Sequence, residues 1–188
     1  MIRMPSWNKT AGFTLIELLI TLVILAIVLG YAMPKFRTLL DNGRTVALSE
    51  EFSSAINFAR IEAIKRGKPV SLCKSTNASS CDAAGNDWNV GYLVYVEGQA
   101  SEVATTTSIA SSGLLKVYPP TAASKSSIDV KRGVANVQFL RFTSLGALAK
   151  NINSEAVITT KLTNCDGVQR EITLKLSGSM SVVKKPCS

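Results

Sequence analysis

The sequence contains no histidine. Serine–histidine and cysteine–histidine nucleophiles are thereby excluded. No Cys-x-x-Cys spacing occurs, so a zinc site would need all the thiolates from loops of unsuitable spacing. The phosphate-cradling run Gly-x-x-x-x-Gly-Lys-Ser/Thr is also missing. Asp82, Asn86 and Asp87 lack the spacing of a calcium loop and read as turn residues. Glu50 and Glu51 are adjacent on a helical stretch, so they point in different directions and read as a solvated face. These absences leave no catalytic constellation, no metal site and no implied cofactor, and the chain reads as a structural or interaction protein rather than an enzyme.

Charged residues make up 18% of the 188 positions and hydrophobic residues 46%, the balance of a folded chain without a long disordered region. Setting the N-terminal part aside leaves about 150 residues, enough for one globular domain. The formal charge is +8. Such a balance permits contact with phosphate or an anionic surface without requiring it. Four cysteines, Cys73, Cys81, Cys165 and Cys187, allow three pairings. Sequence order favours Cys73 with Cys81 and Cys165 with Cys187, each pair closing a short segment. Disulfides place the domain in an oxidising compartment.

The most informative stretch is 13–33, FTLIELLITLVILAIVLGYAM. Residues 18–33 are uncharged and mostly apolar. One helix of this length crosses the hydrocarbon core of a bilayer. Arg3 and Lys9 precede it and belong on the cytoplasmic side. An ordinary secretory signal places a small-residue cleavage site after its apolar run. Here the run leads into Pro34 and a charged helical segment, whereas Ala11-Gly12 stands before it. Cleavage at Gly12 would keep the apolar helix. Glu17 is the anomaly, because a carboxylate inside a membrane helix is costly and usually functional. If Phe13 gains a free α-amino group, that amine and Glu17 of an adjacent subunit neutralise one another in a low-dielectric setting.

Gly12-Phe13-Thr14-Leu15-Ile16-Glu17 resembles the signal of type IV prepilins and type II secretion pseudopilins. The resemblance implies cleavage after Gly12 and N-methylation of Phe13 by a prepilin peptidase. It implies that Glu17 meets the N-terminus of a neighbouring subunit during assembly. Pro34 falls where many pilins kink or melt their long helix.

Beyond Pro34, Phe52, Ala55, Ile56, Ala59 and Ala63 recur every three or four residues, which marks one apolar helix face. Gly67 and Pro69 supply the stop. Gly43 is a weak point within the helix. Everything after Pro69 reads as β, with candidate strands at 70–74, 90–96, 114–118, 135–142, 156–162, 169–176 and 180–184. Loops rich in small polar residues cover 98–113 and 121–127. The expected fold is α+β: a long N-terminal helix, transmembrane in its first half and amphipathic in its second, packed on an antiparallel β-sheet or β-sandwich. The expected division is a leader at 1–12, a membrane and filament-core helix at 13–34, the amphipathic half at 35–68 and a β domain at 69–188.

Residues 59–66, ARIEAIKR, resemble the end of the first helix in the FimT/GspH-like family of minor pilins and pseudopilins. Val70-Ser71-Leu72-Cys73, Trp88-x-x-Gly91-Tyr92 and Val137-Gln138-Phe139 followed by Gly146 also fit. The resemblance implies other major and minor pilins, the prepilin peptidase and the inner membrane as partners. It implies a single-pass membrane precursor with a periplasmic domain, then residence in a pilus at the cell surface, in a tip or initiation complex. A type II secretion pseudopilin and a DNA-binding minor pilin of natural transformation are the alternative roles. For DNA, the candidates are Lys131, Arg132, Arg170, Lys175, Lys184 and Lys185, with Lys131-Arg132 expected in a turn before Gly133. The Gly-Arg-x-Arg expected near the last strands of the DNA-binding branch is replaced by Gly178-Ser179-Met180-Ser181, which lacks both arginines. Trp88, Tyr92 and Tyr95 read as core or sheet-face packing rather than stacking platforms.

Overall fold

The computed structural model describes residues 12–82, 85–97, 113–120, 126–149, 153–162 and 168–187. Two compact units divide the chain, 1–39 and 40–188. Helix α1, Leu15–Arg66, contributes to both. It opens on Thr14, whose Oγ1 accepts the backbone N–H of Glu17 at 3.2 Å. It passes through Pro34 and Gly43 as one helical element, where the sequence suggests weak points. It stops at Gly67, in a left-handed conformation (φ 63°) with its N–H on the carbonyl of Ile64.

Unit 40–188 is α+β. The first sheet holds four strands in the order β3-β2-β1-β6: β1 Val70–Lys74, β2 Tyr92–Val96, β3 Leu114–Tyr118 and β6 Phe139–Phe142. The second holds five in the order β5-β4-β7-β8-β9: β4 Ser126–Arg132, β5 Ala135–Asn136, β7 Ala156–Leu162, β8 Val168–Leu174 and β9 Met180–Pro186. Every pairing is antiparallel. One continuous apolar core joins them. Leu48, Phe52, Ala55, Ile56, Ala59 and Ala63 from α1 meet Leu72, Val94 and Phe142 of the first sheet and Val130, Ile158 and Ile172 of the second. The apolar stripe of the helix thus covers both sheets, as the alternating strand faces require. Trp88 is fully buried at the seam. Phe52 packs edge-on against it and against Tyr92, at 5.6 and 5.1 Å between ring centroids.

Two elements differ from the sequence-based expectation. Residues 135–142 are not one strand. β5 pairs with β4 in the second sheet and β6 with β1 in the first. Between them Val137 donates its N–H to Val130, its carbonyl accepts the Trp88 indole N–H at 3.1 Å, and the Gln138 carbonyl takes the N–H of Lys74. A continuous β pattern therefore conceals a change of sheet. The second difference is β4, which occupies part of a stretch expected to be loop and turn. Its inward row is Ser126, Ile128, Val130 and Arg132. A serine at one end and an arginine at the other interrupt the apolar alternation that would mark a strand.

Asp87 ties the sheets together. Its Oδ1 caps the short 3-10 turn Trp88–Val90 by accepting from Asn89 N–H, and also accepts from Ile128 N–H of β4 at 3.0 Å. The sequence reads it as a turn residue; it is instead an extended residue that caps the turn and bridges to Asp129 of β4.

Candidate functional site

The first candidate is the start of α1. Phe13, Leu15, Ile16 and every large apolar side chain from Leu18 to Met33 are exposed; Phe13 is 84% and Tyr31 80% accessible. Residues 15–33 extend over about 28 Å at 1.5 Å per residue, close to the roughly 30 Å hydrocarbon core of a bilayer. α1 is long and apolar enough to cross a membrane. An apolar cylinder that no described residue covers needs lipid or other helices around it. Its acidic residue is Glu17, exposed and in the first helical turn. That position also favours a carboxylate near the positive end of the helix dipole. Thr14 is a residue that sequence inspection missed. The spacing Thr14-x-x-Glu17 is the signature of a helix start and could have revealed it. Gly12 is exposed ahead of the helix and Pro34 lies within it.

The second candidate is the set of six cations, and the fold disperses them. Lys131 and Arg132 end β4 rather than forming a turn, and they face opposite sides of the sheet. Arg132 is buried, with Nη1 on the Ala149 carbonyl at 2.9 Å and Nε on the Ser154 carbonyl at 3.2 Å. Burial lowers its pKa from the ordinary arginine value. The guanidinium is committed to holding backbone, which corrects its assignment to a solvent-facing turn. Lys175 is exposed in the hairpin after β8. Lys184 and Lys185 are separated by the pleat of β9. Lys185 pairs with Glu171 at 2.6 Å on the outer face. Lys184 stands opposite Arg170 on the inner face, the side that carries Ile172 and Leu174 into the core.

Two charged groups that sequence inspection missed are buried on the first sheet. Arg141 Nη2 lies 3.0 Å from Glu97 Oε2, and Ser71 Oγ donates to the same carboxylate. Their separation in sequence carries no signal. Beside them, burial, reinforced by the Glu97 charge, pushes the Tyr95 phenol up to about 12. Cys73 and Cys81 form the expected disulfide. Cys187 is disulfide-bonded, and its expected partner Cys165 lies outside the described residues.

Arg60, inside the ARIEAIKR stretch, clasps two glycine turns. Its Nε donates to the Gly146 carbonyl at 3.0 Å. Gly178 packs so closely on that carbonyl that a Cβ there would lie 2.1 Å from it. The stretch thus serves the fold by locking the end of the helix to both sheets.

The chain's 7–33 segment matches the prokaryotic N-terminal methylation motif. Residues 48–179, most of the chain, match the family model of the type II transport protein GspH. The chain belongs to the GspH family. It is a type IV pilin-like protein of the minor pilin and pseudopilin kind, and the long helix on antiparallel sheets is the pilin fold. Its fold resembles the type IV minor pilin FimU of Pseudomonas aeruginosa at TM-score 0.57 and 19% identity, over 76% of this chain and 90% of FimU. The minor pseudopilin EpsH of the Vibrio cholerae type 2 secretion system aligns at TM-score 0.46 and 11% identity, over 74% of this chain and 95% of EpsH. No curated protein matches by sequence. GspH-family pilins are structural subunits, and association with other pilins in a pilus or pseudopilus follows from membership.

Proposed function

We propose that this GspH-family chain is a minor pilin cleaved after Gly12, methylated at Phe13 and built into the tip or initiation complex of a type IV pilus. The observation that carries the reading is the uncovered apolar surface of α1 interrupted by Glu17. In the membrane that carboxylate is expensive. Docked against the free amine of a neighbouring Phe13, it is neutralised, so the filament is favoured over the isolated subunit. Removal of residues 1–12 makes the amine, which couples processing to assembly. The β domain then faces outward and contacts other minor pilins.

Replacing Glu17 with Ala in the full-length chain tests this. The variant is expected to insert and be processed normally yet be missing from sheared filaments. Wild-type incorporation of Glu17→Ala would end the reading. A pseudopilin of a type II secretion system is the second reading, favoured by the name of the matching family model. Loss of exoprotein secretion without loss of piliation on deleting the chain would select it.

A further inference from the structure

A groove of about 490 Å³ runs beside the edge of the second sheet. Val46, Ser49, Glu50, Ser53, Ser54 and Asn57 of α1 form one wall, and Arg170 of β8 and Val182 of β9 form the other. Three features of this groove point to a ligand. The Nε of Arg170 and the Oγ of Ser53 are both buried without a hydrogen-bond partner among the described residues. Such atoms carry a desolvation cost until something supplies the missing bonds. Arg170 and Lys184 also stand opposite one another on the inner face, and neither forms an ion pair among the described residues. On the outer face, by contrast, Lys185 has Glu171. Finally, β9 pairs with β8 along its whole length and, among the described residues, with nothing on its other side.

Edge strands of this length are usually blunted. Here Lys184, Lys185 and Pro186 blunt the end of β9, but Met180 to Val183 remain open, with Val182 47% and Val183 49% accessible. The disulfide at Cys187 anchors the strand just beyond. An open edge beside Arg170 and Lys184 suits an added strand that brings a carboxylate. We infer that β9 and this groove form a docking site for an extended acidic segment of a neighbouring pilin. The segment would add antiparallel or parallel to β9 and point a carboxylate at Arg170 and Lys184. The inference rests on the filament-subunit reading for the source of the segment, but its physical test does not.

Full-length protein in detergent would be titrated with a fluorescent peptide of about nine residues alternating Val with Glu and Thr. A Lys-for-Glu peptide and a short duplex DNA would serve as comparators. Saturable binding of the acidic peptide is expected, with a β-strand amide I band on isotope-labelled peptide carbonyls. Lys184→Glu, a change on the exposed edge, is expected to weaken it about tenfold or more while leaving thermal unfolding unchanged. Arg170→Gln should weaken it by a similar factor. Binding with no strand band, or insensitive to Lys184→Glu, would overturn the inference. Salt-sensitive DNA binding lost in Lys184→Glu, with no peptide binding, would assign the cations to nucleic acid instead. Failure of Glu17→Ala to block assembly would leave this peptide result untouched.

Discussion

Gly178→Ala is the perturbation whose outcome the structure specifies most closely. Gly178 has φ +80°, a conformation that costs an L-residue about 1 kcal/mol. Its new Cβ would sit 2.1 Å from the Gly146 carbonyl oxygen and 2.8 Å from Arg60 Nε. One of the two turns must move by the better part of an ångström. That motion breaks the 3.0 Å bond between Arg60 and Gly146. A hydrogen bond from a charged donor contributes about 1.5–3 kcal/mol. Conformation and contact together give roughly 2.5–4 kcal/mol, before any repacking. For a unit of this size that corresponds to a Tm lower by about 5–16 °C.

Gly67→Ala separates the two contributions. Gly67 also has a positive φ, +63°, but nothing lies within 4 Å of its added Cβ. It should lose only the conformational part, about 1 kcal/mol, or about 2–4 °C. The assay is thermal unfolding followed by the fluorescence of Trp88, the sole tryptophan after residue 12. Equal losses for the two variants would refute the clasp. So would simple additivity of Gly178→Ala with Arg60→Ala, since residues sharing one contact should couple.

Removing the disulfide as Cys73→Ala with Cys81→Ala opens a loop of sequence separation 8. The chain-entropy model assigns it about 2.5 kcal/mol, read as a lower urea midpoint. Alkaline pH is the second perturbation. Tyr92 and Tyr95 are buried and hold their protons above the usual phenol range, Tyr95 to about 12. Below pH about 10 both folded and unfolded phenols are protonated and their contribution to stability is complete. Above it the unfolded chain releases protons first, so stability falls by up to about 1.4 kcal/mol per pH unit for each tyrosine. Urea midpoints between pH 9 and 12, wild type against Tyr95→Phe, check this. The variant's stability should fall less steeply with pH.

Much of the fold was legible because it is written in local periodicity. The helix face from Phe52 to Ala63 and most strands follow from spacing alone. What escaped is set by pairing at long range. β4 hides because its inward row ends on Arg132, whose guanidinium donates to carbonyls 17 and 22 residues away. The change of sheet at Val137 is fixed by the indole of Trp88, 49 residues back. The same limit separates the two candidate sites. Glu17 and Phe13 lie in one linear signal. The cations Lys131, Arg132, Arg170, Lys175, Lys184 and Lys185 look like one group in a list of charges, yet strand register sends Lys184 and Lys185 to opposite faces and buries Arg132.

Folding and assembly draw on different stretches of α1, and this makes them separable. From Leu48 to Ala63 one face of the helix gives its apolar side chains to the core of unit 40–188. From Leu15 to Met33 those side chains are exposed and contribute no burial to the fold. Burying a large aliphatic side chain stabilises by about 1.5–3 kcal/mol, so the exposed segment holds a large reserve that only lipid or neighbouring helices can draw on. Glu17→Ala should therefore leave the Trp88 unfolding midpoint where it is, within about 0.5 kcal/mol, while abolishing incorporation into filaments. Gly67→Ala should do the reverse, lowering the midpoint while filaments still take up the folded fraction. A shared defect, with Glu17→Ala lowering the midpoint as much as Gly178→Ala, would mean that the first turns of the helix support the domain directly, and the separation drawn from side-chain burial would fail.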